Sequence, residues 1–126
     1  VTDQNCYFEK VFITHAHYDH MDGAMNIVEL MESMELPIPM VMKRIDGNAS
    51  ELGRLENNPG LDEHLFHTEE GCKYEIEEDG IEFYPINTPG HLSDHLIFLM
   101  KSNNKWSLFS GDSIVGANST FFMDYP

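Results

Sequence analysis

Two periods alternate along the chain, and the switches between them mark out its elements. Residues 7–14 (Y-F-E-K-V-F-I-T) are dense in aromatic and β-branched side chains and predict a strand. From Asp22 the spacing lengthens, and Ala24, Ile27, Val28, Met31 and Met34 fall on one helical face. Asp22 stands where an N-cap would stand, and Pro37 ends the pattern. Residues 38–42 predict a second short strand. The polar run 46–58 holds a short helix at 50–55, and Asn57-Asn58-Pro59-Gly60 marks a turn. Residues 73–77 and 81–86 flank Glu78-Asp79-Gly80 and predict a hairpin whose apolar face is Tyr74, Ile76, Ile81 and Phe83. Thr88-Pro89-Gly90-His91 breaks the second of these strands. Residues 96–100 and 106–109 predict another hairpin around Ser102-Asn103-Asn104, closed by Ser110-Gly111-Asp112-Ser113. Residues 1–5 read as a polar, frayed end. Paired strands around one long helix give an α+β arrangement, without repeats, low-complexity segments or linkers.

Composition narrows the picture. A chain of 126 residues suits one domain, and a hydrophobic share of 41% supports a core rather than disorder. The formal net charge is −15, from 22 acidic and 7 basic residues, which disfavours a broad nucleic-acid footprint. Bound cations would offset part of that excess. Cys6 and Cys72 lie far apart, without CxxC spacing, and read as thiols in a reducing compartment rather than a disulfide framework. No apolar run is long enough for a membrane span, and no targeting segment is visible. The chain opens on Val1 rather than Met, and a fragment of a longer protein is expected.

The chemistry concentrates in residues 14–23, T-H-A-H-Y-D-H-M-D-G. His15, His17, Asp19 and His20 crowd into six positions, and each can ligate a divalent metal. His15 and His17 project to one side of an extended segment, because the strand period is two, so one ion can be gripped by both. Asp19 and His20 follow where the chain turns, placed for a second ion. Zinc suits a mixed imidazole and carboxylate set. T-P-G-H at 88–91 and S-G-D-S at 110–113 also follow predicted strands, and add His91 and Asp112. Two ions a few ångströms apart form a clamp for hydrolysis of an ester-like or phosphodiester bond.

With these three segments in place, the chain resembles the metallo-β-lactamase fold superfamily. His15, His17 and His91 match the ligands of its first metal, Asp19 and His20 match ligands of its second, and Asp112 matches the aspartate that bridges them. The resemblance implies an αββα sandwich with two zinc ions where the sheets meet, of which residues 1–126 are the central segment. T-P-G-H-L-S-D-H at 88–95, and G-D-S-I-V-G at 111–116 running into A-N-S-T-F-F-M-D-Y, are most similar to the β-lactamase-like protein 2 group. Members of that group are described as metal-dependent endoribonucleases acting on single-stranded RNA in mitochondria. The resemblance therefore implies a zinc-dependent hydrolase of RNA phosphodiester bonds, in the mitochondrial matrix or the cytoplasm. In that enzyme Asp19 would be the catalytic group that orients the attacking water or accepts its proton. Glyoxalase-II-like thioesterases share the metal motifs, so a small ester or thioester is the alternative substrate. A third reading is a truncated metal-binding fragment without activity. Complete members carry strands before the position of Val1 and a further histidine after the bridging aspartate. No histidine follows Asp112 here, which leaves Asp19, His20 and Asp112 for the second ion.

Other polar residues have plainer readings. His95 is assigned a structural role, with contact to substrate or leaving group as the alternative, and His64 and His67 lie in a predicted loop, where their i, i+3 spacing could suit a metal. Met25, Met31, Met34, Met40 and Met42 read as core filler. Residues 75–79 read as a solvated hairpin end. Lys43-Arg44 is expected to be exposed, with phosphate contact as the alternative. Asn118-Ser119-Thr120 could hydrogen-bond substrate or form a simple turn. Thr14, Asp94 and Ser110 are candidates to hold the outward ring N–H of a ligand imidazole.

Overall fold

Residues 6–121 are described by the computed structural model; the end expected to fray, residues 1–5, lies outside them. Two βαβ passes build the first sheet. Strand β1 (Lys10–Phe12) leads through α1 (Tyr18–Met21) and α2 (Gly23–Ser33) to β2 (Met40–Lys43), which leads through α3 (Ala49–Asn57) to β3 (Leu65–His67). All three strands are parallel, in the order β1-β2-β3. The remaining strands, β4 (Tyr74–Ile76), β5 (Ile81–Asn87), β6 (Leu96–Ser102) and β7 (Lys105–Phe109), form an antiparallel meander in chain order. The α+β expectation holds, with a parallel sheet beside an antiparallel one.

Strand alternation explains the layers. Val11 and Val41 are register partners and face the helices, where Ile13, Ala24, Val28 and Leu61 complete the main core with Leu55 and Leu65 against it. Phe12 points the other way. Its ring packs on Tyr74, Phe83 and Phe98 of the second sheet, at centroid distances of 5.3, 5.4 and 5.1 Å. One side chain thus couples the two sheets, and the described residues stack as helices, sheet, sheet. On the far face of the second sheet, Trp106 and Leu108 stay exposed. No helix of the described residues is long and apolar enough to cross a membrane.

Both predicted hairpins form, and the first pairs Tyr74 with Phe83 and Ile76 with Ile81, which brings its predicted apolar residues opposite one another. The β6–β7 turn places Asn103 and Asn104 at φ 49° and 60°, the left-handed pair a tight hairpin needs. Other elements differ from expectation. The strand read at 7–14 pairs only over Lys10–Phe12, and that at 38–42 shifts to Met40–Lys43, because a strand extends only where its partner does. The loop read around His64 and His67, residues 62–68, instead holds most of a 3₁₀ turn (Leu61–His64) and β3. Asp22 does not cap α2 with its side chain, because α1 runs almost directly into α2 and its backbone is already helical. Its carboxylate instead accepts from Arg54 Nη1 (3.1 Å) and Asn58 Nδ2 (2.9 Å), tying α2 to α3. Lys43 is not exposed: it is fully buried, in contact with the carboxylates of Glu51 and Asp94. Arg44 Nη1 donates to Ser93 O at 2.8 Å.

Candidate metal centre

Three loops reach the same end of the two sheets. Residues 14–20 leave β1, residues 88–95 connect β5 to β6, and a 3₁₀ turn at Gly111–Ser113 follows β7. A backbone hydrogen bond from Leu96 N to Thr14 O, 2.7 Å, draws the first two together. Gly111 makes the third approach possible. Its φ is +50°, and a Cβ there would lie 2.8 Å from His95 Nε2 and 2.9 Å from Thr14 Cβ and Oγ1. Only a residue without a side chain lets this turn come so close.

The result is a cluster of facing ligand atoms. One ligand atom from each of His15, His17, His91 and Asp112 lies within 4.8 Å of the others. His15 Nε2 is 2.9 Å from His17 Nδ1, and His91 Nε2 is 3.0 Å from the same atom. Asp112 divides its carboxylate: Oδ2 lies 3.6 Å from His15 Nε2 and 3.3 Å from His91 Nε2, while Oδ1 lies 3.2 Å from His20 Nε2. Asp19 Oδ2 is 3.6 Å from His20 Nε2 and its side chain is half exposed. Of the six residues singled out from the sequence, His15, His17, His91 and Asp112 meet at one place, His20 reaches the other oxygen of Asp112, and Asp19 is linked to the group through His20.

One outward nitrogen fixes its ring's tautomer. His91 Nδ1 lies 2.6 Å from Phe121 O, a group that only accepts, so Nδ1 carries the proton and the Nε2 lone pair faces the cluster. Thr14 Oγ1 lies 3.0 Å from His15 Nδ1 and can accept from it in the same way. Burial, then the neighbouring imidazoles His20, His95, His17 and His91, lower the His15 pKa from 6.5 to about 2. Burial and His91 also lower that of His17, against the opposing pull of Asp19 and Asp112. Neutral imidazoles held 2.9–3.0 Å apart have one His17 Nδ1 proton for two nitrogen contacts. At least one of the two contacts is then left without an aligned hydrogen bond, an arrangement a shared cation relieves. The donor set, the His91 tautomer and the suppressed protonation all fit a divalent metal of imidazole preference.

His95 belongs to the support of this cluster. It is buried, its Nε2 accepts from Asp112 N at 3.1 Å, and its Nδ1 lies 2.9 Å from Thr88 Oγ1. Its lone pair is thus spent on the backbone of Asp112. Burial, then His91, lower its pKa to about 4. Of the three candidates for outward partners, only Thr14 meets an imidazole. Asp94 turns to Lys43, and Ser110 Oγ donates to Ile114 O at 3.2 Å. The Phe121 carbonyl was invisible in the sequence, since any residue offers one. From the open segment 118–120, Thr120 Oγ1 lies 3.4 Å from His91 Nδ1. His67 stays away from the cluster; its Nδ1 accepts from Ile45 N at 3.0 Å.

No family model matches the chain. It is 33% identical over 121 residues to "Beta-lactamase-like protein 2 homolog" of Caenorhabditis elegans, covering 95% of this chain and 35% of that protein. It is 27% identical over 114 residues to "Atrochrysone carboxyl ACP thioesterase" of Aspergillus terreus, covering 90% of this chain and 29% of that one. The chain spans about a third of the length of such relatives. Among solved structures, a probable metal-dependent hydrolase from Staphylococcus aureus superposes with a TM-score of 0.55 at 18% identity, over 82% of this chain and 38% of the other. A native metallo-β-lactamase from Legionella gormanii gives 0.50 at 19% identity, over 79% and 40%.

Proposed function

We propose that this chain, a partial segment of the metallo-β-lactamase fold similar to β-lactamase-like protein 2, is the metal-binding core of a zinc-dependent hydrolase. The observation that carries the reading is the convergence of His15, His17, His91 and Asp112, with the Nε2 lone pair of His91 inward. Those four residues would hold a first ion, and Asp19, His20 and the second oxygen of Asp112 a second. Bound there, the metal supplies Lewis-acid chemistry, polarising the substrate's oxygen and making a water nucleophilic near neutral pH. The chain's own residues do the rest. Phe121 O and Thr14 Oγ1 hold the ligand rings in place, and His95 fixes Asp112 from behind. Asp19, half exposed beside His20, is placed to orient the attacking water or to take its proton.

For the substrate we propose phosphodiester bonds of single-stranded RNA, in line with the residues 88–95 and 111–125 that resemble the β-lactamase-like protein 2 group. The thioesterase relatives support a second reading, an acyl thioester substrate. One experiment addresses metal and substrate together. Elemental analysis should find zinc in the wild-type chain and a loss of binuclear loading in Asp112→Ala; two ions per chain in that variant would reject the bridging role. Cleavage of a labelled single-stranded RNA that stops with a chelator supports the RNA reading. Turnover of an acyl thioester alone would replace it.

A further inference from the structure

We infer that the buried ion pair between Lys43 and Asp94 positions the His91 and Asp112 half of the metal centre, so that the affinity of the site for a cation depends on it. This rests on the metal reading above and deepens it. Lys43 ends β2 with its side chain fully buried. Its three N–H groups face three oxygens: Arg44 O at 2.7 Å, Glu51 Oε2 and Asp94 Oδ2. Glu51 has other partners, since its carboxylate accepts from Asp46 N at 3.2 Å and Gly47 N at 3.1 Å. Asp94 does not. It is fully buried, neither of its oxygens takes an aligned hydrogen bond, and Lys43 is its one counter-charge among the described residues.

The placement of Asp94 gives that pair its consequence. It sits three residues after His91 and directly before His95, the residue that accepts from Asp112 N. The same turn is held from the same loop at Ser93. Arg44 Nη1 donates to Ser93 O at 2.8 Å, Asn48 Nδ2 donates to Ser93 Oγ at 3.2 Å, and Ser93 Oγ contacts Asp46 Oδ2. The segment after β2 thus pulls the 92–94 turn inward, and with it both residues that complete the His15–His17 pair. A buried ion pair is a poor source of stability compared with apolar side chains, so its use at this place favours a role in geometry.

Cobalt(II) titration of the full chain, read by visible absorption, tests this. Wild type should bind with the bands of a low-symmetry site. Asp94→Asn should bind about tenfold more weakly and with altered bands, as loss of outer support does in metal sites. Met31→Ala, a buried substitution on α2 away from the loops, should lower the melting temperature and leave cobalt affinity unchanged. If Asp94→Asn does not fold, Arg44→Met, which frees Ser93 O, should weaken binding in the same direction. Wild-type affinity and spectrum in the folded variant, or an equal loss in Met31→Ala, would overturn the inference and leave the metal reading standing. No binding by wild type would remove both.

Discussion

His15 sits in the most hostile setting for charge of any imidazole in the chain, and this fixes the sign of its pH dependence. Its pKa falls to about 2 and that of His95 to about 4, both from 6.5, first through burial and then through other imidazoles. Their folded values lie below the unfolded one, so the unfolded chain takes up protons first as pH drops. The stability they leave intact is present above pH 6.5 and is lost as pH falls towards the folded values. Each contributes about 1.4 kcal/mol per pH unit in that window. The metal-free protein should therefore lose about 3 kcal/mol between pH 7.5 and 5.5 from these two groups. Urea midpoints at the two pH values measure it; a flat profile would mean the rings are not held neutral. At this scale the sequence was informative about types. Six ligand-competent residues could be named because histidine and aspartate are rare in such density. Of their partners Thr14 could be named, but Phe121 O and the backbone N–H of Asp112 could not, because every residue offers a carbonyl and nearly every one an N–H.

Elements were legible where a period ran long enough. Helix α2 spans eleven residues and buries Ala24, Val28 and Met31, three of the five positions predicted for its inner face. Strand β3 has three residues, two of them exposed, and three residues carry no period to read. Lys43 was misjudged for a related reason. Adjacent Lys and Arg look solvated until Glu51 and Asp94, from other elements, converge on one of them. Helix α3 shows how local chemistry and tertiary contact meet. Asn48 Oδ1 accepts from Glu51 N at 2.9 Å as its N-cap, while Nδ2 reaches Ser93. Asn48→Ala should cost about 1 kcal/mol through the cap. In a chain of this size that lowers the melting temperature by about 3–5 °C. Differential scanning calorimetry of the metal-free chain checks it. An unchanged midpoint would show that water replaces the cap at no cost.

Across the whole molecule, the layer order and the placement of the site at one end of the sheets agree with the resemblance drawn from the motifs, whereas the exposed outer face of β7 has no sequence signature. The centre joins segments of both sheets. Residues 15–20 belong to the first sheet's loop, and His91 and Asp112 to the second's. Phe12, the Leu96–Thr14 hydrogen bond and the Lys43–Asp94 ion pair also link the two sheets. A cation held by both sides adds a cross-link that exists only in the folded state. It also meets a chain of formal charge −15, whose compact form it relieves of some repulsion. A ligand at one hundred times its dissociation constant stabilises by about 2.7 kcal/mol, less any binding to the unfolded H-x-H-x-D-H stretch. Zinc at that excess should raise the melting temperature by about 8–10 °C, and a chelator should reverse it. Magnesium at the same concentration should do far less, because it prefers oxygen ligands over imidazole. His91→Ala separates specific binding from simple charge relief. It removes one inward lone pair without changing the acidic excess, so most of the zinc-induced rise should vanish in thermal melts. An equal rise in the variant would assign the effect to the surface charge and leave the imidazole cluster without a thermodynamic role.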